Sequence, residues 1–90
     1  MKIDATFKAV LERADTTGGW VYVVWPKAKE FFGTGGLVKI TGLIDGKPFR
    51  ASFMAMGDGQ QMLPIKKETR ELIGKDEGDE VEITLQERLD

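Results

Sequence analysis

Alternation of apolar and polar positions organises the chain from its start. Residues 3 to 11 set Ile3, Ala5, Phe7, Ala9 and Leu11 on one side and mostly Asp4, Thr6 and Lys8 on the other. That period of two predicts a strand with one wet face. Asp15 to Gly19 is a turn by composition, and Trp20 to Trp25 is a run of β-formers apolar on both faces, which predicts a central strand. Pro26 suits a first helical position. Ala28, Phe31 and Phe32 then share one face of a short helix over about 26–32, which Gly33 to Gly36 ends. The clearest local signal spans 37–55, two β-rich runs joined by Asp45-Gly46, a pair suited to the type I′ turn of a tight hairpin. With Ile44 opposite Lys47, the register pairs Gly42 with Phe49, Ile40 with Ala51 and Val38 with Phe53, so that Phe49 lies over the bare Gly42. The other face holds Thr41 opposite Arg50 and Lys39 opposite Ser52, and is wetter.

Beyond a turn at 56–59, Gln60 to Leu63 reads as a short strand stopped by Pro64. Ile65, Thr69, Leu72 and Ile73 then fall on one helical face, with Gly74 as the C-terminal cap. Val81 to Leu85 alternates strictly and predicts a last, half-exposed strand before an acidic tail. Compared with itself, the chain repeats an order of strand, Pro, helix, Gly and strand. One copy runs from the strand ending at Trp25-Pro26 to Leu37–Ile40, the other from Leu63-Pro64 to Val81–Ile83.

The residues of the second copy carry a resemblance. Leu63-Pro64-Ile65-Lys66, the helix with Arg70, and Gly78-Asp79-Glu80-Val81 resemble the swapped-hairpin motif of AbrB/MazE-type proteins. With Phe7, Trp20 to Pro26, Val38 to Gly42 and Asp45 to Phe49 in order, the whole chain is similar to the DUF1905 family of domains of unknown function. The resemblance implies a mainly β fold: a six-stranded closed double-split β-barrel, capped by two short α-helices and built from two pseudo-repeated halves in one chain. It carries over no functional residue.

Size and composition narrow the picture further. Ninety residues suit one domain over 1–90, and 41% hydrophobic with 31% charged residues suit a chain that folds alone. No apolar run approaches the roughly 20 residues of a membrane helix, and the N-terminus has no signal-peptide character, so the expected setting is cytoplasmic with no membrane partner. Cys, His and Asn are absent and Ser52 is the single serine, which excludes disulfides, Cys- or His-ligated zinc, His bases and Cys nucleophiles. No cofactor, metal site or catalytic residue is expected.

Seven candidate residues remain. Lys66, Lys67 and Arg70 cluster on the second helix and could hold an anion near its start; a solvated helix face is the commoner role for such residues. Lys39, Thr41, Arg50 and Ser52 form the polar hairpin face, where Arg beside hydroxyls suits a carboxylate or phosphate, against the alternative of an ordinary wet sheet. Trp20, Tyr22, Trp25, Phe31 and Phe32 could line a pocket or stack bases, though a small barrel needs such rings to fill its core. The Gly-rich segments lack a phosphate-loop signature, and the acids at 76–80 lack a calcium-loop pattern, so both read as turns.

The leading expectation is a monomeric binding or interaction module for a protein or a small anionic ligand. A nucleic-acid-binding AbrB-like regulator stands second, and an enzyme limited to carboxylate, Lys or Tyr chemistry third. No specific nucleic-acid affinity is expected: the formal charge is −2, and residues 76 to 90 contain seven acids against one Arg. The spacer from Pro64 to Gly78 is also about two residues longer than the swapped-hairpin pattern.

Overall fold

In the computed structural model, which describes residues 1–15, 19–56 and 59–89, the alternating segments become seven antiparallel strands with two short helices. The strands are β1 (Lys2–Val10), β2 (Glu12–Arg13), β3 (Val21–Val24), β4 (Val38–Ile44), β5 (Lys47–Ala55), β6 (Gln61–Pro64) and β7 (Glu80–Arg88). Helices α1 (Ala28–Phe32) and α2 (Lys67–Ile73) follow β3 and β6. The sheet order is β1-β7-β4-β5-β6-β3-β2, an open half-barrel whose concave side holds the core. The turns expected at 15–19 and 56–59 lie partly outside the described residues.

The closed six-stranded barrel is therefore corrected to an open seven-stranded sheet. The extra strand arises because the first one breaks at Leu11. This buried residue donates its N–H to the Asp79 carbonyl (2.9 Å) and accepts from the Gly78 N–H (2.8 Å). Anchored to the turn before β7, the chain leaves β7 and pairs with β3 instead. The two edge strands β1 and β2 are thus consecutive in sequence, joined through Leu11 and not by a ladder. The run expected as a central strand, β3, is second from the edge, between β6 and the two-residue β2.

The hairpin register is the one the sequence predicts, pair for pair from Ile44–Lys47 to Val38–Phe53. Asp45 and Gly46 have φ of 49° and 81°, as a type I′ turn requires. The reason for Gly42 differs from expectation. At the bulge between Thr41 and Gly42, β7 presses its backbone against this glycine, and an added Cβ would overlap the Thr84 carbonyl oxygen. Opposition to Phe49 is real, but it is not what demands glycine.

The repeat appears as an exchange of partners. In the units β3-α1-β4 and β6-α2-β7, the first strands pair with each other (Val23 with Leu63), and so do the second (Ile44 with Ile83). Gly33 and Gly74 cap their helices in left-handed conformation, at φ of 71° and 70°. Fully buried Val23, Val38, Ile40, Ile44, Phe53, Leu63, Ile83 and Leu85 bring both units into one core. Trp25 stacks on Phe7 with ring centroids 4.7 Å apart and packs against Phe32 and Phe53 beneath α1. Leu72, expected on the inner face, is 57% exposed. Lys66 is extended (ψ 152°), so the helix starts one residue after it, and Ile65 is buried ahead of the helical frame that would have placed Leu72 beneath it.

Candidate functional site

A groove lies where β5 and β6 part, and a second adjoins it between the start of β3 and α2. Among the described residues β5 and β6 pair at two positions, Met54–Met62 and Ala55–Gln61, after which β6 continues alongside β3. The gap that opens forms a groove of about 520 Å³, walled by Lys39 of β4, Arg50, Ser52 and Met54 of β5, and Pro64, Lys66 and Trp20. A second groove of about 410 Å³ shares Trp20, Pro64 and Lys66 and extends to Lys67 and Arg70. Trp20 stands 50% exposed on the ridge between them. Among the described residues neither groove is lined by an acid, and no ion pair engages Lys39, Arg50, Lys66 or Lys67.

The two candidate clusters, distant in sequence, therefore meet in space. Lys39, Arg50 and Ser52 come from alternating positions of a wet hairpin face, while Lys66 extends from the residue that links β6 to α2. Thr41 is not part of this site. It shares the face of Arg50, but the sheet continues past β4 into β7 and β1, and Thr41 lines a separate groove with Asp4, Thr84 and Glu87.

Arg70 differs from the other candidate cations. Its side chain is only 15% exposed, Nη1 donates to the Ile65 carbonyl at 2.6 Å, and Nε lies 3.1 Å from Asp76 Oδ1. Asp76 also faces Arg13 Nη2 at 3.6 Å, and Arg13 Nε donates to Glu77 Oε1 at 3.0 Å. Arg70 thus braces α2 against the turn that precedes β7, and the acids at 76 and 77 are counter-ions of Arg13 and Arg70. Trp20 is the residue whose place differs most from expectation: grouped with core-filling rings, it stands at the surface. The Gly-rich sequence before it and Pro64 opposite were the available signals, but neither specifies which way the ring points.

The hairpin tip beside β7 is anchored by a carboxylate. Burial pushes the Asp45 carboxyl up. The hydrogen bond from Lys75 Nζ (2.6 Å), the Glu82 N–H (2.9 Å) and the Lys75 charge outweigh that and hold it below the ordinary aspartate range. This contact fixes the β4–β5 hairpin, and with it the far wall of the larger groove, onto β7.

The arrangement defines a class: an antiparallel β domain with a basic, aromatic-topped groove at a parting of its sheet. Among the described residues no group of three acids is placed to hold a metal ion, and no helix is long and apolar enough to cross a membrane. The chain belongs to the DUF1905 family, a domain of unknown function, whose model matches residues 7–85. No curated protein matches it.

Proposed function

We propose that this chain is a non-catalytic binding module that engages an acidic protein segment in the groove between β5 and β6. One observation carries the reading. Among the described residues, three cations without an ion pair, Lys39, Arg50 and Lys66, converge with Ser52 around an exposed Trp20, and no acid lines the groove. Arg50 offers a planar fork to a carboxylate, the two Lys offer point charges, and Trp20 offers apolar area at small entropic cost. A chain of net charge −2 that still assembles such a surface concentrates its positive charge where a short acidic ligand can meet it. The module acts as a monomer, since both copies of the β-α-β unit already share one core.

The test is a titration with the peptide acetyl-(Glu-Val)₃-amide, followed by the Trp20 indole N–H signal. Saturable binding at about 20 mM salt that weakens towards 150 mM is expected, and Arg50→Glu or Lys66→Glu should each lower affinity about tenfold or more. A response indifferent to both charge reversals refutes the site. A second reading, an AbrB-like nucleic-acid binder, draws support from the exchanged pairing of the two β-α-β units and from a ring free to stack on a base.

A further inference from the structure

Strand β5 changes partners along its length. It pairs with β4 over Lys47–Phe53 but with β6 only at Met54 and Ala55. Over most of its length, then, the edge turned away from β4 has no strand of the described residues beside it. The alternation of an antiparallel ladder decides which groups lie on that edge. Ile44 and Lys47 flank a two-residue turn and so exchange hydrogen bonds; counting outward by twos, so do Gly42 with Phe49 and Ile40 with Ala51. Thr41–Arg50 and Lys39–Ser52 are the intervening pairs, whose backbone groups point away from each other. An independent contact agrees: the Lys39 carbonyl accepts from the Leu89 N–H at 2.9 Å, on the side away from Ser52.

Arg50 and Ser52 consequently turn two N–H and two C=O groups outward, beside the larger groove. No backbone bond of the described residues uses them. Two residues earlier, at the equivalent outward position, Pro48 has no N–H to offer, and at the other end Met54 is taken by β6. The open edge is therefore bounded: long enough to pair with a short segment and too short to template a sheet.

We propose that this edge takes the acidic segment as an added strand. The segment's backbone would pair with Arg50 and Ser52, and its acidic side chains would lie over Lys39, Arg50 and Lys66. The proposal rests on the groove being the binding site and adds the mode of binding. The backbone groups favour a peptide over other anions. A free carboxylate or phosphate would satisfy the two N–H groups and leave two carbonyls facing negative charge. An extended peptide brings donors and acceptors in alternation and satisfies all four. The phosphates of a nucleic-acid strand have the same defect, and its donors, on the bases, do not alternate with acceptors at the spacing of a β-strand edge.

N-methylation separates backbone pairing from charge. Two analogues of acetyl-(Glu-Val)₃-amide, methylated on the backbone nitrogen at every Glu or at every Val, keep the same charges. In a strand they block opposite edges. One analogue should lose about tenfold or more in affinity and the other stay within about threefold of the parent, the scale of one or two hydrogen bonds. Ser52→Pro, which removes an outward N–H without touching the β4 ladder, should weaken the parent peptide similarly. If that variant does not fold, the methylated pair decides alone. Equal affinities for the two analogues overturn strand addition and leave the groove reading standing. An unmodified peptide that does not bind overturns both. A thymidine oligonucleotide that binds more tightly than the peptide overturns the choice of occupant.

Discussion

Replacing Gly42 by Ala tests how the half-barrel is held together, because one methyl group there meets backbone and not a yielding side chain. The new Cβ would overlap the Thr84 carbonyl oxygen and come to 3.1 Å from its carbonyl carbon and 3.2 Å from Leu85 Cα. No rotamer change relieves this. β4 and β7 must separate at the bulge between Thr41 and Gly42, where the ladder is already irregular. Inserting a methyl into a packed interior costs about 1 to 3 kcal/mol, and loosening one or two ladder bonds adds about 1 kcal/mol each, so about 3 kcal/mol is expected. For a domain of this size that lowers Tm by about 12 to 24 °C.

Gly46→Ala is the matching control. Its Cβ meets nothing within 4 Å, and its cost comes only from the positive φ of 81°, about 1 kcal/mol or 4 to 8 °C. Thermal melts of both variants, followed by far-UV circular dichroism in one buffer, measure the difference. A Gly42→Ala protein that melts within about 4 °C of wild type, or above Gly46→Ala, refutes the steric account. Phe49→Leu in the Gly42→Ala background adds a second check. Rescue of the melt by that change would assign the clash to the cross-strand ring and not to Thr84.

Asp45→Asn keeps the turn geometry and removes the charge that Lys75 and the Glu82 N–H hold; it should cost about 1 kcal/mol at pH 7. Because the folded carboxyl titrates below its unfolded value, its contribution is present above about pH 4 and fades as pH falls, so wild-type and Asn variant melts should converge in acid. A gap that does not narrow as pH falls would assign the cost to shape instead. Arg70→Ala should lower stability by about 1.5 to 3 kcal/mol in urea denaturation, since it removes a charged donor from the Ile65 carbonyl and a partner from Asp76. A loss under 0.5 kcal/mol, the range of ordinary surface changes, would return Arg70 to a solvated helix face.

What could be read from the sequence is what short stretches decide. Asp45-Gly46 specifies a turn that sets the hairpin register, and Gly33 and Gly74 end helices whose apolar residues recur three and four apart. Contacts far along the chain decided the rest. The break at Leu11 depends on Gly78 and Asp79, and the role of Arg70 depends on Asp76 and Ile65. Gln61 occupies a buried position in β6 because its side-chain amide donates to the Gly36 carbonyl at 2.6 Å. Of the seven candidate residues, Lys39, Arg50, Ser52 and Lys66 line one groove and Lys67 the next, while Arg70 is braced and Thr41 lies elsewhere. The two clusters could each be read as polar faces. That they meet follows from β6 leaving β5 after two pairs, which no local pattern encodes.

Charge placement bears on which partner such a groove can hold. Asp76 and Glu77, which weigh on the acidic side of the ledger, are paired with Arg13 and Arg70, so their fields are partly cancelled at close range. At physiological salt, charges separated by more than about 8 Å are largely screened. Within that distance a ligand in the groove meets Lys39, Arg50 and Lys66, with no acid among the described lining residues. A long duplex, by contrast, reaches beyond the groove to the acidic strand β7, where Glu80, Glu82 and Glu87 are exposed. Repulsion there offsets the few phosphate contacts the groove supplies, against the roughly 6 to 10 of a good duplex binder. On the proposed reading, a surface suited to a short acidic segment would disfavour an extended polyanion, and selectivity would follow from the size of the ligand as much as from its charge.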